Sequence, residues 1–107
     1  MKNKTWTVLA LAAAPAWALA QAAPHSQDAL YLRSLAATCA NCHGTQGRAV
    51  EGSAVPTLAG MPREHMVAQL KAFKSGARPA TIMHQLSKGY SDAQIEQIAA
   101  YFAAQKK

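Results

Sequence analysis

The residues with the clearest chemistry in this chain are Cys39 and Cys42, which are separated by two residues and followed directly by His43. The sequence contains no other cysteine. Two thiols at this spacing can form thioethers with the vinyl groups of a haem, and the adjacent imidazole can then bind the iron. The motif therefore predicts one covalently attached c-type haem, with Cys39 and Cys42 as the attachment residues and His43 as the proximal ligand.

Two other uses of paired cysteines fit the surrounding sequence less well. A thioredoxin-like redox pair belongs to a βαβ unit, whereas the residues before Cys39 are rich in Ala and Leu and are typical of a helix. A structural zinc site needs four ligands, and the sequence has no second cysteine pair to supply them. His25, His65 and His84 are the residues that could serve as further zinc ligands. Neither alternative gives a role to the adjacent His43.

The N-terminus has the pattern of a secretory signal peptide. Two lysines precede an uncharged, Ala/Leu-rich run over residues 5–17, and the small-residue motif Ala18-Leu19-Ala20 follows. We expect residues 1–20 to be a cleaved signal peptide, with cleavage after Ala22 as the alternative, and residues 21–107 to form one small domain. The apolar run is shorter than the roughly 20 residues that span a bilayer and contains a proline, so no stable membrane insertion is expected.

Charge and residue types restrict the function further. The chain carries a formal net charge of +6, and its basic residues are scattered, with no arginine run and few aromatic residues. This pattern indicates a mildly basic surface suited to an acidic protein partner, and no nucleic acid is expected as a partner. Export predicts a periplasmic location. Because the sequence offers no nucleophile–base pair and no carboxylate pair, we do not expect this chain to act as an enzyme by itself.

The apolar periodicity predicts an all-α chain with about three main helices. They span residues 25–38, 62–75 and 92–104. Ser26 is the predicted cap of the first helix, and Ser91 and Gln94 form a capping box before the third. All 6 glycines lie between these helices. The intervening segments are therefore predicted to be loops that wrap the haem, with one helical turn at residues 82–87.

The iron needs a second axial ligand opposite His43, and the residues alone leave several candidates open. These are Met61, Met66, Met83, His65 and His84. Met66 lies on the apolar face of the second helix and is expected in the core, with His65 turned to solvent. Met83 lies in the segment before the third helix, where a thioether is free to bind iron, and the neighbouring His84 is its main competitor.

Four stretches of the chain carry a resemblance to a known family. They are Cys39-Ala40-Asn41-Cys42-His43-Gly44-Thr45, Phe73-Lys74-Ser75-Gly76, Ala80-Thr81-Ile82-Met83 and Lys88-Gly89-Tyr90-Ser91. With the order of helices and loops, they resemble a class I c-type cytochrome. More narrowly, they are similar to the single-haem cytochrome subunit of flavocytochrome c sulfide dehydrogenase. The resemblance covers most of the mature chain, from about residue 35 to residue 102, and implies the class I cytochrome c fold.

The resemblance also implies a ligand set and a function. Met83 matches the distal ligand of the family, and Pro56 matches a proline whose carbonyl accepts a hydrogen bond from the proximal histidine. A separate FAD-containing flavoprotein subunit would oxidise sulfide and pass electrons singly to this haem, which would deliver them to a soluble cytochrome or similar acceptor.

Two other functions are retained beside this one. The first is a free soluble periplasmic electron carrier for another respiratory partner. The second is a haem sensor that binds ligands at an open distal site, against which the methionine in the loop argues.

Overall fold

The computed structural model describes residues 24–107, so the expected signal peptide and its cleavage sites after Ala20 and Ala22 lie outside the described residues. Within residues 24–107 the chain forms helices and no strand, which confirms the predicted all-α fold. The helices are α1 (Pro24–Ala37), α2 (Ala40–His43), α3 (Arg63–Ser75), α4 (Met83–Lys88) and α5 (Asp92–Ala103), and a 3-10 turn over Thr45–Gly47 follows α2.

No helix in the described part of the chain combines the length and the apolar content that a membrane crossing requires.

The helix boundaries follow local sequence signals. Before α5, the Ser91 hydroxyl accepts a hydrogen bond from Gln94 N at 3.1 Å, and Gln94 Oε1 accepts one from Ser91 N at 2.9 Å, as the predicted capping box requires. α3 ends at Gly76, whose φ of 81° is left-handed and favours glycine. The cap predicted at Ser26 was wrong, because Ser26 lies within α1 and not before it.

The core lies where α5 packs against both α1 and α3. Its buried apolar side chains are Ala36 of α1, Met66 and Leu70 of α3, and Ile95, Ile98, Ala99 and Phe102 of α5. These positions recur at helical spacing, as the sequence predicted. Burial of each larger side chain contributes about 1.5–3 kcal/mol to the free energy of unfolding. Because α5 supplies four of these buried residues and contacts both α1 and α3, it holds the other two helices in place. α4 is held mainly by α3.

Candidate haem-binding site

The attachment motif forms a short helical turn directly after α1. Cys39 is the residue before α2, and its carbonyl accepts hydrogen bonds from Cys42 N at 3.4 Å and from His43 N at 2.9 Å. Residues three apart in such a turn lie on the same side of the helix, so the two sulfur atoms are presented together. Both cysteines are free thiols.

The two thiols differ in their surroundings. Cys39 is half-buried and packs against the core, whereas Cys42 is exposed. Burial raises the pKa of the Cys39 thiol; the hydrogen bond with Thr38 opposes this rise, and the nearby Cys42 adds to it. A raised pKa keeps the sulfur of Cys39 neutral at physiological pH. The position therefore suits an uncharged sulfur, which is also the state of a thioether.

His43 is held in one orientation by the backbone of a distant loop. The side chain is only 7% exposed, and its Nδ1 lies 2.7 Å from Pro56 O. Because a carbonyl can only accept, Nδ1 carries the proton and donates it to Pro56 O. Nε2 is then left with its lone pair, which is the form of imidazole that binds a metal. The sequence-predicted residues His43 and Pro56 are thus in direct contact.

Gly47 and Phe102 position the loop that presents Pro56, and neither was among the predicted site residues. Leu58 N and Ala59 N both donate to Gly47 O, at 2.7 and 3.1 Å. Gly47 has a φ of 77°, and a Cβ added to it would lie 2.7 Å from the Phe102 ring. Only glycine fits this place. The high glycine content of residues 44–60 was the one signal in the sequence that pointed to it.

The candidates for the second axial ligand occupy different environments. Met83 is the first residue of α4, and Met83 and Met61 are both half-buried against the core that Cys39 also contacts. Met66 is buried within that core, and His65 is exposed. Met66 is therefore used in packing, and His65 faces solvent. Met83 stays the predicted distal ligand.

α4 also carries two buried polar atoms that lack a hydrogen-bond partner among the described residues. They are His84 Nδ1 and Ser87 Oγ. Because the two residues are three apart in a helix, they lie on one side of it. Buried polar atoms are nearly always hydrogen-bonded in folded proteins, so these two suit a polar group or a water molecule beside α4 that residues 24–107 do not supply.

The residues present fit a covalently attached haem. The donor set consists of two free thiols in one turn and an imidazole with Nε2 available. Large apolar side chains are exposed in the two segments predicted to wrap the haem, namely Val50 at 77%, Ile82 at 55% and Leu86 at 44%. An apolar macrocycle would cover such surface, and its propionates would offer acceptors to polar atoms such as those of α4.

The alternatives to haem lack their structural context within residues 24–107. No group of three or more His, Cys, Asp or Glu side chains in that range is placed to hold a metal ion, so a zinc site would have no ligand set there. The absence of strands from the same residues also removes the βαβ unit that a thioredoxin-like pair requires.

Comparisons with known proteins agree with this geometry. The family model described as Cytochrome c matches residues 30–106. The chain is 40% identical over 68 residues to the cytochrome subunit of sulfide dehydrogenase from Chlorobaculum tepidum. The aligned residues make up 64% of this chain and 60% of that protein.

Two further relatives differ in how much of each chain is aligned. The chain is 38% identical over 96 residues to a thiosulfate dehydrogenase electron acceptor from Thiomonas intermedia, covering 90% of this chain and 43% of that protein. It is 35% identical over 72 residues to cytochrome c-554(548) from Halomonas halodenitrificans, covering 64% of this chain and 86% of that protein. The matched region is thus less than two thirds of the length of the sulfide and thiosulfate dehydrogenase relatives.

Proposed function

The chain belongs to the cytochrome c family, and we propose from this premise that its covalently bound haem c is ligated by His43 and Met83. The function of the chain is electron transfer. We propose that it does so as a subunit or partner of an oxidoreductase and catalyses no reaction by itself. The proposed electron donor is a sulfide-oxidising flavoprotein subunit, and the proposed location is the periplasm after removal of residues 1–20.

The observation that carries the proposed role of His43 is the hydrogen bond from its Nδ1 to Pro56 O. Met83 is proposed from its match to the distal ligand of the family and from its half-buried position against the core. When bound, haem c supplies a one-electron Fe(III)/Fe(II) couple. The residues of the chain hold and tune it. Cys39 and Cys42 would anchor it covalently, and His43 would present Nε2 to the iron with its tautomer already fixed.

The burial of His43 has a consequence for the rate of electron transfer. An imidazole that is buried and hydrogen-bonded to backbone cannot rotate freely, so its position changes little when the charge at the site changes by one. A methionine opposite it would favour a higher reduction potential than a second histidine would. A His43 and Met83 pair therefore suits an acceptor of electrons from a dehydrogenase.

The sulfide-oxidising donor is supported by the relative from Chlorobaculum tepidum and by the stretches of sequence around Phe73–Ser91. A second candidate is favoured by a different observation. The relative from Thiomonas intermedia aligns with 90% of this chain and is named as the electron acceptor of a thiosulfate dehydrogenase. A free periplasmic carrier that serves such an enzyme is therefore the alternative function.

The ligation is tested by absorption and magnetic spectroscopy of the purified, haem-loaded protein. Met83→Ala should abolish the signature of a low-spin, methionine-ligated iron, because the iron loses its sulfur ligand. Met61→Ala is the matched control, since this residue packs against the same core and should keep the signature. An unchanged spectrum of Met83→Ala would overturn the ligand assignment.

The donor is tested separately by mixing the oxidised protein with purified donor enzymes and following haem reduction. Sulfide with a sulfide dehydrogenase flavoprotein should reduce it quickly, whereas thiosulfate with thiosulfate dehydrogenase should reduce it slowly. The reverse order of rates would favour the alternative carrier. Mass spectrometry of the periplasmic fraction should give the mass of residues 21–107 plus one haem, and a full-length mass would refute cleavage.

A further inference from the structure

A hydrogen bond between two hydroxyl groups joins the attachment turn to the segment that contains Met83. Tyr90 Oη lies 2.6 Å from Thr38 Oγ1, although the two residues are 52 positions apart in the chain. Thr38 directly precedes Cys39, and Tyr90 is the last residue of segment 77–90. The bond therefore ties the end of this segment to the first attachment cysteine.

The direction of this hydrogen bond follows from counting protons. Thr38 Oγ1 donates to Leu35 O at 2.7 Å, and a carbonyl can only accept. Because a hydroxyl has one proton, Thr38 has none left for Tyr90. Tyr90 must therefore donate to Thr38, and the resulting chain of two hydrogen bonds ends on the backbone of α1.

The backbone of Tyr90 is held as well, from the other side. Lys74 Nζ of α3 donates to Tyr90 O at 2.8 Å and to Asp92 Oδ1 at 2.8 Å. The carbonyl and the hydroxyl of Tyr90 are thus bound to two different elements. This residue is a fixed point between α3, α5 and the attachment turn.

α4 depends on such fixed points because it is short. It has 6 residues, and helices this short are not stable in isolation. The position of Met83 at its first turn is therefore set by what α4 packs against and by how the segment is held at its ends. Loss of the hydrogen bond between Tyr90 and Thr38 would allow segment 77–90 to move away from Cys39.

We propose that Tyr90 and Thr38 are positioning residues that keep Met83 on the iron. The proposal rests on the proposed function, because it takes Met83 as the distal ligand. By fastening the end of segment 77–90 next to Cys39, the hydrogen bond lowers the fraction of molecules in which Met83 has left the iron.

The fraction of molecules in which Met83 has left the iron is measured by titrating the oxidised, haem-loaded protein with imidazole. Imidazole binds the iron only in those molecules, so a larger fraction gives a higher affinity. Tyr90→Phe should raise this affinity about fivefold, the factor that corresponds to the loss of one net hydrogen bond. Thr38→Val should raise it by a similar factor, whereas Thr38→Ser retains the hydroxyl and should keep the original affinity. The double variant Thr38→Val with Tyr90→Phe should exceed neither single variant by much, because both remove the same contact.

Tyr31→Phe is the matched control. Tyr31 Oη accepts a hydrogen bond from Gln94 Nε2 at 3.0 Å, so this variant also removes a tyrosine contact between α1 and α5. It does not touch segment 77–90, and its imidazole affinity should stay unchanged. Thermal unfolding of both variants shows whether they lose similar global stability.

Two outcomes separate the failure of this proposal from that of the ligand assignment. If Met83→Ala binds imidazole more tightly than the unmodified protein but Tyr90→Phe does not differ from Tyr31→Phe, the positioning role is overturned and the ligand assignment stands. If Met83→Ala leaves the affinity unchanged, Met83 is not the displaced ligand and both proposals are overturned.

Discussion

Gly47 is a position at which one added methyl group should damage the site through a side chain of the core. It is buried, with a φ of 77°, in the 3-10 turn that follows the attachment motif. A Cβ at this position would lie 2.7 and 2.8 Å from Phe102 Cδ1 and Cε1 and 3.0 Å from Leu58 Cβ. The ring of Phe102 has little room to yield, because it is buried and in edge contact with Tyr101.

The expected cost of Gly47→Ala has two parts. A left-handed backbone conformation costs a residue with a side chain about 1–2 kcal/mol. Overpacking of a well-filled core costs about 1–3 kcal/mol more. Alanine offsets about 0.4–1 kcal/mol of this cost, because it lowers the conformational entropy of the unfolded chain. We therefore expect the free energy of unfolding to fall by about 2–4 kcal/mol.

The assay is denaturant unfolding of the haem-loaded protein, followed by circular dichroism. Gly76→Ala is the matched control, because Gly76 has a similar φ of 81° but nothing within 4 Å of the added Cβ. It should lose only about 1 kcal/mol, from backbone strain alone. Equal losses in the two variants would refute the claim that crowding against Phe102 decides the cost.

The same pair of variants tests the link between this turn and His43. Gly47 O accepts the two amides that hold the loop of Pro56, so a displaced Gly47 should shift the reduction potential as well as the stability. Gly76→Ala lies outside that loop and should leave the potential unchanged. A potential that is the same in both variants would contradict the link.

Three further predictions concern residues outside the attachment turn. Gln46→Gly should stabilise the protein by about 0.5–1 kcal/mol in thermal unfolding, because Gln46 has a left-handed φ of 55°; a loss of stability would contradict this. Ser91→Ala should cost about 1 kcal/mol, whereas Ser91→Asp should retain the cap, and equal losses would argue against capping. The hydrogen bond and the charge of Lys74 lower the pKa of Asp92, so its stabilising effect is present above the ordinary carboxyl pKa of about 4 and is lost as pH falls through the lowered value. Asp92→Asn should therefore be less stable than the unmodified protein at pH 7 and equally stable in strong acid; a difference that persists in acid would point to another cause.

Much of the fold was predictable because its signals are local. The capping box of Ser91 and Gln94, the end of α3 at Gly76 and the apolar spacing of α5 each depend on residues within a few positions of one another. The cap predicted at Ser26 also rested on a local signal, but Ser26 lies within α1. The cytochrome c family could likewise be predicted from contiguous stretches of sequence.

The amino-acid sequence by itself determined the helices and the chemistry of the attachment motif, because thiol spacing and helix periodicity are properties of neighbouring residues. Only the tertiary structure decided which distant groups meet. The acceptor for His43 is a backbone carbonyl 13 residues away; the family resemblance pointed to Pro56, but no pattern in the residues themselves did, because carbonyls are the same in every residue type. The partner of Tyr90 is 52 residues away, and Gly47 is required by a ring at the far end of the chain. Such contacts depend on the path of the loops through space, which no local pattern specifies.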